Sequence, residues 1–247
     1  MDNNLPVFLN DDSTKTIFEM VKKLIPKNTE VYIFGGSIRN ALYFEFFKEE
    51  MTQRDYDCIV IGDGELFAKN LAEVGFIFGS KNSDKDKILK IARNQNPVHI
   101  HNDWLYLDCK IFANGSNIKP ILEKISDLTI SGVALNIKDV DSLDWRTKII
   151  GIENAVKDIE EKQLRLVNTY SSSIYKIIRL VHKGFKLPTS NEIEKALEEL
   201  KSISEDAFLR HKKKTVEYIG DKEEVAEIAK QLGINFDVLN FSEIKKH

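Results

Sequence analysis

The sequence predicts an α/β domain followed by a small all-α domain. Two observations carry this. Up to about residue 140, short apolar runs with strand character alternate with amphipathic helical segments. Beyond residue 150, successive segments repeat apolar residues at helical spacing and strand signals become few. The division is drawn accordingly, with one domain over residues 1–150 and a helical domain over residues 151–247.

The elements follow in order. Asp12 and Ser13 stand as an N-cap before "TKTIFEMVKKLI", in which Ile17, Phe18, Val21, Leu24 and Ile25 share one helical face. Pro26 to Asn28 break that helix. The run Val31–Phe34 is the first strand, and a helix is expected from Ser37 to about Phe47. "RDYDCIVIG" reads as a strand closed by a turn at Gly62–Gly64, and "ELFAKNLAEVG" as an amphipathic helix ended by Gly75. "ILKIAR" and "DWLYLDCKIF" are further strands between polar loops, "NSDKDK" (residues 82–87) among the loops. Five segments then carry helical periodicity: "IENAVKDIEEKQLRLV", "SSIYKIIRLVHKGF", "SNEIEKALEELKSI", "EDAFLRHKKKTVEYI" and "DKEEVAEIAKQLG".

Composition narrows the class without naming a function. The chain has 247 residues, 42% of them hydrophobic, with 36 basic residues against 39 acidic ones. The formal net charge of −3 exerts no global pull on nucleic acid, so any such contact needs a local patch. Cys58 and Cys109 lie in apolar runs with no paired metal spacing and read as reduced core residues. The N-terminus has no signal-peptide pattern and no apolar run is long enough for a membrane span. A soluble, cytoplasmic protein that does not act at a membrane is expected; nothing in the sequence fixes its oligomeric state.

The chemistry starts in "RDYDCIV". Strand alternation puts Asp55 and Asp57 on one side and Tyr56, Cys58 and Val60 on the other. Two carboxylates about 7 Å apart along a strand repel unless a cation sits between them, and hard oxygen ligands suit Mg²⁺ or Mn²⁺. Taken alone, the pair reads first as a polar face turned to water. Asp108 interrupts the apolar residues of "WLYLDCKIF" in the same way. If the two strands are neighbours, three carboxylates share one surface and can hold one or two cations; if they are not, Asp108 faces solvent. Two metals about 3.5–4 Å apart can activate an attacking oxygen and stabilise a leaving phosphate oxygen.

"VYIFGGSIRN" supplies the complement. Gly35 and Gly36 let backbone N–H groups approach a ligand closely, Ser37 adds a hydroxyl, and the helix that follows turns its positive end to an anion. Arg39 can reach the same phosphates with a charge-assisted fork. A glycine pair alone is a tight turn. Followed by the aspartate pair, it reads as a triphosphate site.

These residues resemble the head of the bacterial poly(A) polymerase and CCA-adding tRNA nucleotidyltransferase superfamily (class II), within the polymerase-beta-like nucleotidyltransferases. The resemblance continues at "SDLTISGVALN", similar to the family's Arg-Asp-Phe-Thr-Ile-Asn-Ala motif, and at Asp158 and Arg165 of "VKDIEEKQLRLV". It fades within "IYKIIRLVHKGF", where Lys176 and Arg179 fall near positions the family fills with arginine. It implies a polymerase-beta-like head with a mixed sheet, followed by a neck-like helical domain. It also implies that Asp55 and Asp57, with Asp108 as the third carboxylate, are catalytic and bind Mg²⁺ or Mn²⁺. Gly35, Gly36, Ser37 and Arg39 would hold the triphosphate, and Asp127, Arg165, Lys176 and Arg179 would add nucleotide contacts. The implied reaction moves a nucleoside monophosphate, AMP being the first guess, from an NTP to a hydroxyl, an RNA 3′ end such as that of tRNA being the first acceptor.

Departures from the family pattern keep other acceptors open. Asn40 stands where the family has aspartate, and Ser126 and Ser131 replace an arginine and an asparagine. The Glu-Asp-X-X-Arg signature that pairs with the incoming base is absent, with Tyr170 and Ser173 in its key places. Transfer to a protein or small molecule, or a catalytically inactive nucleotide- or RNA-binding relative, are the alternatives. "RHKKKTVEY" (residues 210–218) and the stripe Lys176, Arg179, Lys183 are either RNA-backbone contacts or solvated faces. His99 and His101 read as residues at the mouth of a hairpin rather than as metal ligands.

Overall fold

The computed structural model describes residues 5–51, 55–83, 86–93, 106–170 and 172–234. His99 and His101 lie outside the described residues. The chain divides into two compact units: Met1–Lys124 with Ser131–Val156, and Ile125–Ile130 with Lys157–His247.

In the first unit, helix α1 (Asp12–Leu24) begins where the Asp11 carboxylate accepts the Thr14 N–H at 2.7 Å, one residue earlier than the expected cap. Strand β1 (Glu30–Phe34) runs into α2 (Gly36–Phe47), and β2 (Tyr56–Ile61) into α3 (Gly64–Glu73). There follow β3 (Phe76–Ser83), β4 (Asp86–Arg93), β5 (Tyr106–Phe112), α4 (Ile118–Ile125), β6 (Val133–Asn136) and β7 (Ile150–Gly151). The strands form one mixed sheet in the order β3-β4-β5-β2-β1-β6-β7. Every pairing is antiparallel except β2 with β5, which is parallel.

β1 and β2 occupy the middle of the sheet, and Val31, Tyr32, Ile33, Ile59 and Val60 are all buried. Burial on both faces explains why these runs read as nearly continuous apolar stretches. α2 packs against β1, β2 and β6, and α1 against α3. Asn82, Ser83, Asp86 and Lys87 depart from the sequence expectation of a loop. Asn82 pairs with Lys87 and Ser83 with Asp86, so these four residues are strand, the last rungs of the antiparallel pairing that starts at Phe76 and Arg93. Strand formation here comes from cross-strand pairing, which local polar composition does not reveal.

In the second unit, the helical pattern expected over 152–167 is much shorter, because α5 (Ala155–Glu160) stops early. Lys162 takes φ 52°, which a helix cannot contain, and the following residues run beside 125–130 instead. There Leu166 bridges to Leu128, and the Thr129 N–H donates to the Arg165 carbonyl at 3.0 Å. The remaining helices are α6 (Ser173–His182), α7 (Ser190–Lys201), α8 (Glu205–Ile219) and α9 (Lys222–Gln231). Thr189 and Glu192 form a capping box at the start of α7. Ile174, Tyr175, Ile178, Phe208 and Val225 are among the buried residues where α6, α8 and α9 pack. No helix among the described residues is long and apolar enough to cross a membrane.

Candidate functional site

The parallel pairing of β2 with β5 sets Asp57 directly opposite Asp108 and Cys58 directly opposite Cys109. Neighbouring strands are about 4.8 Å apart, and residues in register point to the same face. One face therefore carries two carboxylates side by side, and the other carries two buried thiols. The Cys58 thiol is pushed well up by its hydrogen bond with Cys109 and by burial, and the Asp57 and Asp108 charges add to this. Both cysteines are reduced core residues in this structure.

Asp55 stands one residue before the first paired residue of β2 and is exposed. Strand alternation therefore does not fix it on the Asp57 face. Among the described residues, no group of three or more His, Cys, Asp and Glu side chains is gathered for a metal ion. The pair Asp57–Asp108 nevertheless has the chemistry of a hard divalent-cation site, with carboxylate oxygens presented together from two rigid central strands.

Gly35 brings the start of α2 to this pair. It adopts φ 70° and ψ −124°, a conformation that L side chains avoid, and its N–H donates to the Val133 carbonyl at 2.9 Å. A Cβ at Gly35 would lie 3.9 Å from Asp57 Oδ2 and 3.8 Å from the Ser131 carbonyl oxygen, so the turn lies against the carboxylate. A Cβ at Gly36 would lie 3.6 Å from Arg39 Nη2. Arg39 donates to Asn40 Oδ1 from Nε at 3.2 Å and from Nη2 at 2.9 Å. Asn40 thus accepts the Arg39 fork at the position where the family has aspartate. Ser37 is buried and lines a cavity of about 430 Å³ with Phe8, Asp11, Asn40, Met51 and Tyr56. The Tyr56 hydroxyl there is pushed up to about 12 by burial.

The other predicted nucleotide contacts, Asp127, Arg165, Lys176 and Arg179, belong to the second unit. Asp127 is 4% exposed; its two carboxylate oxygens each lie 2.8 Å from Lys176 Nζ, and Oδ1 accepts the Leu128 N–H at 2.9 Å. Burial opposes the Asp127 charge, but Lys176 and the backbone N–H groups outweigh it and hold the carboxyl below its ordinary value. Arg165 Nη2 lies 3.3 Å from Oδ1 of the fully buried Asp158, whose Oδ2 accepts the Thr129 hydroxyl at 2.6 Å. Arg179 donates from Nε to the Tyr175 carbonyl at 3.2 Å and lies over the Tyr218 ring. Ser126 and Ser131 are buried, with hydroxyls that have no hydrogen-bond partner among the described residues. Ser173 is also buried, and its Oγ accepts the Tyr170 N–H at 3.0 Å at the start of α6. No local signal marks Asp158 as buried, because it lies in the acidic run "KDIEE".

No protein-family model matches the chain, and no curated protein matches it in sequence. Solved structures do match its fold. One is the Thermotoga maritima CCA-adding enzyme complexed with tRNA, at a TM-score of 0.65 and 19% identity, covering 94% of this chain and 52% of that one. Another is the Bacillus stearothermophilus CCA-adding enzyme in complex with CTP, at 0.60 and 13%, covering 96% and 56%. A third is a CCA-adding enzyme in complex with ATP, at 0.59 and 19%, covering 94% and 53%. The chain spans about half the length of these proteins. At these identities the likeness shows the fold: a mixed-sheet head of the CCA-adding kind with additional helices.

Proposed function

We propose that the protein transfers a nucleoside monophosphate from an NTP to the 3′ hydroxyl of an RNA and releases pyrophosphate. The observation that carries this reading is the register pairing of Asp57 with Asp108, against the glycine turn that opens α2. The fold supports it too, because proteins of this fold include one complexed with tRNA and others in complex with CTP or ATP.

Asp57 and Asp108 would hold Mg²⁺ or Mn²⁺, with Asp55 as a further ligand. When bound, the metal supplies charge neutralisation at the phosphates. Gly35 and Gly36 leave room for the triphosphate beside the positive end of α2, and Ser37 adds a donor at that end. Arg39 orients the phosphates with its fork. The acceptor oxygen bonds to the α-phosphorus as the bond to the α–β bridging oxygen breaks. The hydroxyl proton passes to a carboxylate of the pair, and pyrophosphate leaves. Most of the rate enhancement comes from positioning and electrostatics. Asp127, Arg165, Lys176 and Arg179 are proposed as nucleotide-binding residues.

A second acceptor class has its own support. Ser173, in the place of the base-pairing arginine, is buried in the first turn of α6, so this position offers no side chain to an incoming base. A protein or small-molecule acceptor needs no such choice of base. The test is incubation with each α-labelled NTP, Mg²⁺ or Mn²⁺, and separate RNA, protein and metabolite fractions. Label on RNA, reduced at least about 100-fold by Asp57→Asn, supports the reading. Label on another fraction moves the acceptor. No label despite tight binding of Mg²⁺–NTP identifies a non-catalytic binding protein.

A further inference from the structure

We propose that α6 and α8 form a docking surface for single-stranded nucleic acid. The basic run at 210–218 lies wholly inside α8, and helical spacing sorts its residues. Lys213 goes to Glu217, with Nζ 3.8 Å from the carboxylate. Arg210, His211, Lys214 and Tyr218 fall on one side of the helix, at the spacing that makes neighbours.

That side meets α6. The His211 ring stacks on Tyr175, with centroids 5.2 Å apart and planes at 22°. The Arg179 guanidinium carbon stands 5.7 Å from the Tyr218 ring centroid and Lys183 Nζ stands 5.9 Å from it. Burial, reinforced by Arg210, Lys214 and Arg179, holds the His211 imidazole below its ordinary value. Four permanent cations from two helices therefore surround one histidine and one tyrosine. Arg210 and Lys214 have no ion-pair partner among the described residues.

Like charges at i and i+4, here Arg210 and Lys214, destabilise a helix by a few tenths of a kcal/mol. A bound polyanion offsets it. The cations extend over roughly the 12 Å of helix between Arg210 and Tyr218, a length that suits successive phosphates better than one. The half-buried Tyr218 adds an aromatic surface among the cations, the combination that single strands use and an acidic peptide does not need. The chain as a whole is acidic, so this attraction is local. Identifying the strand as the RNA acceptor rests on the proposed transferase function; the binding itself does not.

The test is fluorescence anisotropy of the full chain with a short labelled single-stranded RNA, comparing Arg210→Glu/Lys214→Glu with the charge-conserving Arg210→Lys/Lys214→Arg. Both pairs of changes are at exposed positions, and thermal melts check that each variant folds. The charge-reversed protein is expected to bind at least about tenfold more weakly, with a log–log salt slope shallower by about 1.4. The conservative variant should bind within about twofold of the unchanged protein, and Mg²⁺–ATP binding should be the same in all three. Undiminished RNA binding after charge reversal overturns the proposal, even if RNA is still labelled. Equal affinity for polyglutamate of matched charge overturns the choice of nucleic acid. RNA binding that depends on Arg210 and Lys214, with no transfer by the unchanged protein, defeats the transferase reading and leaves this surface standing.

Discussion

Tyr175 and Thr215 hold buried hydroxyls with no hydrogen-bond partner among the described residues. Burial alone pushes the Tyr175 phenol up from its ordinary value. An unpaired buried hydroxyl costs about 1–3 kcal/mol relative to its solvated state. Tyr175→Phe and Thr215→Val should therefore leave stability unchanged or raise it by up to about 1 kcal/mol, read from urea midpoints at constant m-value. A loss above about 1 kcal/mol would mean that the hydroxyl has a partner after all. Single residues were legible in the sequence where they broke a pattern. Asp57 and Asp108 stood out as charges in apolar strands, and Gly35 as a glycine where a strand turns into a helix. Asp158 broke no pattern, and its burial with Thr129 and Arg165 depends on contacts distant in sequence.

Elements were legible to different degrees, for physical reasons. α8 spans Glu205–Ile219, the same residues that its periodicity marked, because caps and apolar spacing are local signals. The Ser204 side chain accepts the Ala207 N–H at its start, and Gly220 closes it with φ 82°. β3 and the early end of α5 were not legible, since a pairing partner decides the first and the contact with 125–130 the second. That contact yields a prediction. The Asp127–Lys176 ion pair ties segment 125–130 to α6, and Lys176→Met would leave a buried carboxylate without its counter-charge. Because Lys176 is partly exposed, the expected loss is discounted to about 1–2 kcal/mol at pH 7. Asp127 and Glu192 both sit below their ordinary values in the folded protein; burial opposes both charges, but Lys176 and hydrogen bonds from Thr189 and Leu166 prevail. Their stabilisation is complete above the ordinary carboxylate range near about 4 and is lost as pH falls through the folded values. Urea titrations from pH 7 to 3 should show the Lys176→Met deficit shrinking below about pH 4; a deficit that stays constant would place the effect outside the ion pair.

For the molecule as a whole, the α/β-then-helical order was legible because the hydrophobic period changes along the chain. The transfer of Ile125–Ile130 into the second unit was not, since only long-range contacts assign it. The adjacency of β2 and β5 was equally hidden: α3, β3 and β4 lie between them in sequence, and no local signal states strand order. Yet that adjacency gives the protein its most specific chemical feature, two carboxylates in register beside a glycine turn. The most direct measurement is Mn²⁺ binding in the presence of ATP, followed by electron paramagnetic resonance, in the unchanged protein, Asp57→Asn and Asp108→Asn. If the pair forms one metal centre, each substitution weakens binding by at least about tenfold and the double variant is little worse than either single one. Full-strength binding in Asp108→Asn would contradict a shared centre.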